Sequence, residues 1–279
     1  MCSPHTVSGI TPGTDPARQP DLAESPEQTT PAAGAGHPPR AALPLAELRG
    51  QVIDLTHVLG PDWPVFTMYV DPPEVRRLAS LEPDEYNAFE LRVNEHVGTH
   101  IDAPRHFDDE GLSVDRIPAQ DLIAPLCVVR IGERAQRDNI TELGVDDLLG
   151  WERAHGRIPA GAFVAMETGW APRLHQPGAF LNFDEAEGIF RFPGIAPETA
   201  AFLVEDRAVI GVGTDTTSLD TGTRPATPET HRVLLPAGRY GIECLAGLDQ
   251  VPDSGSLIIV GAPRHRDGTG GQARVFALV

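Results

Sequence analysis

The segment "FELRVNEHVGTHIDAPRHF" (residues 89–107) combines a strand pattern with an unusual density of side chains that bind metals or move protons. Apolar and polar residues alternate up to Asp102, and a period of two indicates a β-strand with one apolar and one polar face. A helix would also bring His96 and His100 together, but Gly98 and the β-branched residues argue against one. We therefore predict one long strand whose polar face carries His96, His100 and Asp102.

The spacing of these residues places a condition on that strand. Four extended residues span roughly 13 Å, close to the limit for two imidazoles meeting at one ion. We expect the strand to bend at Gly98, because glycine permits a bulge or tight turn. Two imidazoles and a carboxylate suit Zn²⁺ or Mn²⁺ and leave positions open for water, as a catalytic site needs. Pro104 stiffens a turn that returns His106 as a candidate general acid/base.

Beyond this segment the chain alternates strand-like and helix-like runs. Strands are predicted for residues 51–59, 125–132, 162–170, 208–215, 240–248, 256–263 and 273–279. Helices are predicted for residues 141–156, with Thr141 as the N-cap, for residues 196–206, with Pro197 in the first turn, and as a short helix or turn for residues 228–238. This mixture predicts an α/β or α+β domain and leaves the order of strands in the sheet open.

Composition excludes several classes of function. The net charge of −18 disfavours nucleic acid and anionic membranes as partners. No lysine occurs, which excludes Schiff-base and phosphate-loop lysine chemistry. Three widely spaced cysteines and no stretch of membrane-spanning length favour a cytoplasmic protein. Residues 1–43, rich in Pro, Thr, Ala, Gly and Ser, are predicted to be a disordered tail before one globular domain, residues 44–279.

The motif "HVGTHIDAPRHF" fits the pattern H-x-G-T-H-x-D-x-P-x-H-F and resembles the cyclase family of metal-dependent hydrolases, which includes bacterial kynurenine formamidases and isatin hydrolases. Further similar segments follow the family's order: "IDLTHVLGPDWPVF", "GVGTDTTSLD", "GIECLAGL" and "DGTGGQARVFAL". The resemblance runs from about residue 45 to the C-terminus. It implies an α/β fold of the swivelling β/β/α type, a single domain with a mixed sheet flanked by helices, usually assembled as a homodimer.

The resemblance also implies roles for individual residues. His96, His100 and Asp102 match the first metal-ligand set; His231 and Glu243 match the residues that complete a second site, giving one or two ions of zinc or manganese per chain; and His106 matches the general acid/base. Two matches are weaker. Trp63 sits where relatives place an aromatic against the substrate but could equally be a packed loop residue, and Ser218 could face the site or cap a loop.

The function that follows is hydrolysis of a small amide by metal-activated water, with N-formylkynurenine cleaved to kynurenine and formate as the first prediction. The alternative within the same site is hydrolysis of a cyclic amide such as isatin, or of a lactone. An alternative of another class is a metal-dependent binding protein without turnover. The presence of all six matching groups disfavours this last alternative.

Overall fold

The structure, a computed structural model, describes residues 52–67, 70–224 and 227–279. The predicted tail, residues 1–43, lies outside the described residues. The strands are β1 Val52–Asp54, β2 Glu74–Ala79, β3 Ala88–Arg92, β4 His100–Asp102, β5 Ile123–Arg130, β6 Glu142–Leu143, β7 Phe163–Glu167, β8 Phe183–Asp184, β9 Ile189–Phe190, β10 Gly194–Ile195, β11 Gly211–Thr214, β12 Tyr240–Glu243, β13 Ser256–Gly261, β14 Gly270–Gln272 and β15 Arg274–Leu278. The helices are α1 Leu81–Asp84, α2 Gly132–Arg137, α3 Val145–His155, α4 Pro197–Glu205 and α5 Glu229–Leu234.

Nine of these strands form one curled, mixed sheet in the order β1-β15-β13-β5-β7-β11-β12-β4-β14. The central strands β5, β7, β11 and β12 run parallel, and their neighbours on both sides are antiparallel. Parallel strands need helical crossovers, and these supply the helices that flank the sheet. The predicted α/β domain with a mixed sheet flanked by helices is therefore confirmed.

Alternation along β5 shows how the sheet separates two apolar cores. Leu126 and Val128 face a core built from strands at both ends of the curled sheet, whereas Cys127 and Val129 face a core closed by helices. The helical side chains in that second core are Leu148 and Trp151 of α3, Leu203 of α4 and Leu234 of α5. Full burial of one such leucine contributes about 1.5–3 kcal/mol to folding, so these helices are fixed firmly on the sheet.

The prediction of one strand over residues 89–102 is wrong. β3 ends at Arg92, β4 begins at His100, and a turn lies between them in which Gly98 has φ +75°. The Asn94 side chain accepts a hydrogen bond from the backbone N–H of His96 at 2.9 Å, which closes the turn locally. The bend expected at Gly98 is present. It turns the chain so far that β3 leaves the main sheet and pairs with β2 instead.

The predicted N-cap of the helix over residues 141–156, Thr141, is also wrong. Helix α3 begins at Val145, and the carboxylate of Asp147 accepts the backbone N–H of Gly144 at 2.9 Å. The hydroxyl of Thr141 instead accepts a hydrogen bond from Arg134 at 2.8 Å, because residues 142–143 form the short strand β6. Pro197 in the first turn of α4 is confirmed.

Strands β2 and β3 form an antiparallel hairpin, residues 74–92, that is separate from the main sheet. Its large apolar side chains are exposed, with exposed fractions from 47% to 62%: Val75, Leu78, Leu81, Tyr86, Phe89 and Leu91. A lone two-stranded hairpin is marginally stable in water, so this exposed hairpin marks an unusual surface. Among the residues that the structure describes, no helix combines the length and apolar composition needed to cross a bilayer.

Candidate metal centre and active site

The register of the sheet brings together residues that are distant in sequence. β4 lies between β12 and β14, with His100 opposite Glu243. Helix α5, immediately before β12 in the chain, carries His231. The first predicted ligand set and the later His and Glu therefore meet at one end of β4.

Asp102 lies at the centre of this cluster. Its Oδ1 is 2.6 Å from His96 Nδ1 and 3.3 Å from His100 Nε2, and its Oδ2 is 3.5 Å from His231 Nε2. Glu243 completes the group, with carboxylate oxygens 3.4 Å from His100 Nε2 and 3.1 Å from His231 Nε2. All five predicted ligands thus converge. The His96 side chain, 20% exposed, is the most open of them.

Hydrogen bonds on the outer side of two imidazoles orient them toward the cluster. His100 Nδ1 donates to the backbone carbonyl of Gly98 at 2.9 Å. His231 Nδ1 donates to Asp220 at 2.5 Å, and Asp220 also accepts the backbone N–H groups of Thr230 and His231. A carboxylate or carbonyl behind an imidazole fixes its tautomer, so in the neutral form that binds a metal both Nε2 lone pairs would face Asp102 and Glu243.

The donor set fits a divalent cation. Asp102 Oδ2 is buried without a hydrogen-bond partner among the described residues, which is costly unless a cation lies beside it. Two groupings have candidate ligand atoms within 4.8 Å of one another and share Asp102: His96 with Asp102 and His106, and His100 with Asp102 and Glu243. Imidazole nitrogens with carboxylate oxygens suit zinc or manganese.

Electrostatics within the cluster also favour a bound cation. Burial alone would lower the pKa of His100, but the Asp102 and Glu243 carboxylates raise it to about 9. Burial opposes charge at His231 too, yet its carboxylate partners raise its pKa well above the ordinary value. The neighbouring imidazoles hold the pKa of Asp102 well below its usual range despite burial. In the metal-free protein, protons on these imidazoles therefore balance the negative charge of the carboxylates.

Metal binding should therefore release protons. Because His100 and His231 are protonated in the metal-free protein at pH 7 and must be neutral to bind a metal, we expect up to about two protons released per chain. The affinity for zinc should rise with pH up to about 9. Calorimetric titration in buffers of different ionisation enthalpy measures the proton count. Equal apparent enthalpies in all buffers would contradict this expectation.

His106 lies beside the cluster in a 3₁₀ turn, Pro104–His106. Its ring stacks on that of His96, with ring centroids 3.8 Å apart. Burial lowers the pKa of His106 to about 4, although Asp102 acts in the opposite direction. The imidazole is therefore neutral at pH 7 and able to accept a proton. Its presence in one of the two ligand groupings gives it a second possible role as a ligand.

A cavity of about 170 Å³ opens over the cluster. Trp63, Phe66 and Val97 are among its apolar walls, and Ser218 is among its polar ones. No arginine lines the cavity within the described residues. Trp63 and Ser218, the two residues with weaker family matches, therefore both line the cavity. Cys244, which an extended backbone would turn away from the metal, also lines it, because its φ is +56°.

On the side away from the cavity, Trp63 packs against other aromatic side chains, and a buried carboxylate accepts hydrogen bonds from the backbone of this aromatic cluster. Its ring meets Phe180 edge-on at 5.9 Å, and Trp170 donates its indole N–H to the Phe180 carbonyl at 2.8 Å. Asp215 accepts the backbone N–H groups of Thr168 and Trp170 and the Thr168 hydroxyl. His57 also packs against this wall, and its buried Nε2 has no hydrogen-bond partner among the described residues.

Replacing Asp215 by asparagine should destabilise the protein by about 1–3 kcal/mol. Burial raises the pKa of Asp215 to about 6, so at pH 7.5 it is an ionised acceptor for all three donors. An asparagine NH₂ group would face one of these donors and leave it unsatisfied. Urea unfolding measures the change. The exposed Asp249→Asn is the matched control, and an equal stability of both variants would refute the assigned role.

Two polar residues beside the cluster are absent from the sequence-based predictions. Thr269 Oγ1 lies 2.9 Å from His96 Nε2, and Glu95 contacts Thr269. The available signal was the glycine-rich run around Thr269, residues 268–271, which indicates close approach of a backbone. It gave no indication of what the backbone approaches.

Comparison with known proteins places this chain in a family. The Cyclase family model matches residues 53–221. The isatin hydrolase of Roseibium aggregatum is 32% identical over 245 residues, covering 82% of this chain and 92% of that protein. The structure of isatin hydrolase A from Ralstonia solanacearum superposes with a TM-score of 0.78 at 33% identity, covering 86% and 99% of the two chains. The kynurenine formamidase of Paracidovorax citrulli is 28% identical over 167 residues, covering 60% and 68%. The chain belongs to the Cyclase family of metal-dependent hydrolases.

Proposed function

We propose that this hydrolase opens a small, uncharged, cyclic aromatic amide of the isatin type. Two observations support this choice over N-formylkynurenine, the first prediction from sequence. The match to isatin hydrolase spans more of the chain and at higher identity than the match to kynurenine formamidase. The described cavity wall offers aromatic and aliphatic groups but no arginine to bind an amino-acid carboxylate.

The chain's own residues divide the work as follows. His96, His100, Asp102, His231 and Glu243 would hold one or two ions of zinc or manganese. A bound divalent ion supplies Lewis-acid chemistry, activating a water and polarising a carbonyl. Trp63 and the apolar wall would bind the flat ring and exclude bulk water, and Ser218 would offer a hydroxyl to the substrate's polar edge.

His106 is proposed as the general acid/base. Its neutral imidazole would accept a proton from the attacking water and deliver it to the amide nitrogen as the C–N bond breaks. An aryl amine is a poor leaving group unless it is protonated, so the delivered proton matters more than the accepted one. Opening the cyclic amide consumes one water and gives one product that carries both a carboxylate and an arylamine. One hydrogen of the water goes to the nitrogen, and the new carboxylic acid releases its proton to solvent, so atoms and charge balance.

The observation that carries the proposal is the convergence of five potential ligands and His106 under one cavity with aromatic and aliphatic walls. The test is hydrolysis of isatin by zinc- and manganese-loaded protein, followed by ultraviolet absorbance, with metal-free protein as the control. Turnover of isatin that requires metal supports the proposal. Metal binding without turnover of isatin, N-formylkynurenine or a lactone panel would favour the non-catalytic binding protein instead.

N-formylkynurenine is the second candidate, because the kynurenine formamidase relative aligns over 60% of this chain. The two substrates differ in charge. N-formylkynurenine carries an ammonium and a carboxylate, whereas isatin is uncharged. We expect kcat/KM for isatin to exceed that for N-formylkynurenine. The reverse order would reinstate the formamidase function.

We also propose that the protein is a cytoplasmic homodimer. Two buried free cysteines, Cys127 and Cys244, agree with a reducing compartment. The exposed hairpin supports the dimer, because an apolar hairpin without a partner is unfavourable in water and a twofold axis buries the same patch of both chains.

The dimer prediction has a direct test on the hairpin. The double variant Phe89→Ser/Leu91→Ser should be monomeric at micromolar concentrations where the wild type is dimeric, since it removes two side chains that are 54% and 57% exposed. Sedimentation velocity distinguishes the states. Phe183→Ser, at a residue outside the hairpin that is 51% exposed, is the control and should stay dimeric. A monomeric wild type would refute the proposal.

A further inference from the structure

The side of His96 that faces away from Asp102 is held by a chain of hydrogen bonds that the proposed chemistry does not use. His96 Nε2 lies 2.9 Å from Thr269 Oγ1. The Thr269 hydroxyl and backbone N–H both contact Glu95 Oε2, at 2.5 and 3.2 Å. On the outer side, His265 Nε2 lies 2.5 Å from the other oxygen of Glu95.

The direction of each hydrogen bond follows from the groups involved. An ionised glutamate only accepts, so the single hydrogen of the Thr269 hydroxyl points at Glu95. That hydroxyl can then only accept from His96, which places a hydrogen on His96 Nε2. When a metal ion is bound, the lone pair of the imidazole is left on Nδ1, the atom that in the metal-free protein donates to Asp102 Oδ1 at 2.6 Å. His96 therefore faces the cluster through Nδ1, whereas His100 and His231 face it through Nε2.

Glycines allow the Thr269 segment to come this close. A Cβ atom at Gly270 would lie 2.7 Å from His96 Cε1, and one at Gly268 would lie 2.9 Å from Glu95 Oε1. Both distances are shorter than real side chains tolerate. Gly270 is also the residue of β14 that pairs with Asp102 of β4. The glycines on either side of Thr269 therefore allow its hydroxyl to lie within hydrogen-bond distance of the His96 imidazole.

We propose that Thr269 and Glu95, closed on the outside by His265, are positioning residues that fix the tautomer of His96 and thereby set the affinity of the ion that His96 contacts. The proposal rests on the proposed metal site but not on any particular substrate. Partners behind a metal-binding imidazole typically contribute about 10–100-fold in metal affinity. Here the Glu95 carboxylate acts on the imidazole through the Thr269 hydroxyl, and the nitrogen that it orients is Nε2 rather than Nδ1.

The test measures zinc affinity of the purified full chain, stripped of metal, by competition with a chromophoric chelator. We expect Thr269→Val to weaken binding about 10–100-fold and Thr269→Ser, which keeps the hydroxyl, to stay within about threefold of wild type. Glu95→Gln should be intermediate. The matched control is Thr199→Val, because the buried Thr199 hydroxyl has no partner among the described residues; its affinity should not change.

A second readout reports the tautomer itself. Long-range ¹H–¹⁵N correlation spectra of the zinc-loaded wild type should show His96 protonated on Nε2, and Glu95→Gln should show this preference weakened. Wild-type affinity in both Thr269→Val and Glu95→Gln, or a His96 protonated on Nδ1, would overturn the proposal. If the affinities follow the expected order but no substrate is turned over, only the proposed function is refuted. The two failures are therefore distinguishable.

Discussion

Replacement of His106 by asparagine is expected to lower kcat/KM by about 10²–10⁴-fold, the usual contribution of a positioned acid/base. Asparagine keeps the approximate size of the side chain and a hydrogen-bond donor but cannot carry a proton at neutral pH. The ring of His106 stacks on His96 at 3.8 Å, so a larger truncation would also disturb a predicted ligand. The loss should fall mainly on kcat, because the proton is moved in the transition state.

The same variant separates the two roles that the geometry allows for His106. If it is the acid/base, zinc affinity of His106→Asn stays within a few-fold of wild type while turnover is lost. If it is a ligand in the grouping with His96 and Asp102, affinity and activity fall together. His155→Asn on helix α3, away from the cavity, is the control and should leave kinetics unchanged. Full activity in His106→Asn would exclude both roles.

The local pattern of the chain was sufficient for most of the fold. Alternating or continuous apolar runs located β5, β7, β11, β12, β13 and β15, and Pro197 located the start of α4. Alternation failed between Arg92 and His100, because a period of two continues through a turn as readily as through a strand. The turn at Gly98 depends on tertiary contacts that the pattern does not contain.

The candidate site divides in the same way. His96, His100 and Asp102 lie within seven residues, so their spacing alone predicted that they act together. His231 and Glu243 came only from the family resemblance, because their approach depends on β12 being the neighbour of β4. Strand order is a property of the whole sheet and cannot be inferred from either segment alone.

Asp102→Asn should have the largest effect on metal binding. Asp102 contacts three of the imidazoles, those of His96, His100 and His231. An amide offers one oxygen and no charge, so the loss of zinc affinity should exceed the roughly 10–100-fold expected for Asp220→Asn, which removes only a partner behind an imidazole. Hydrolysis should fall to the level of metal-free protein. Chelator competition on both variants gives the comparison.

The metal-free form of Asp102→Asn gives an independent check through its pH dependence. Because the carboxylates raise the pKa of His100 to about 9 in the folded protein, protonated His100 contributes stability that is fully present below its unfolded pKa of about 6.5. That contribution is lost as pH rises toward 9. The stability difference between wild type and Asp102→Asn should therefore be largest below pH 6 and should shrink between pH 7 and 9. Urea unfolding in the presence of a chelator measures it, and a difference that grows with pH would show that Asp102 does not carry the charge balance of this cluster.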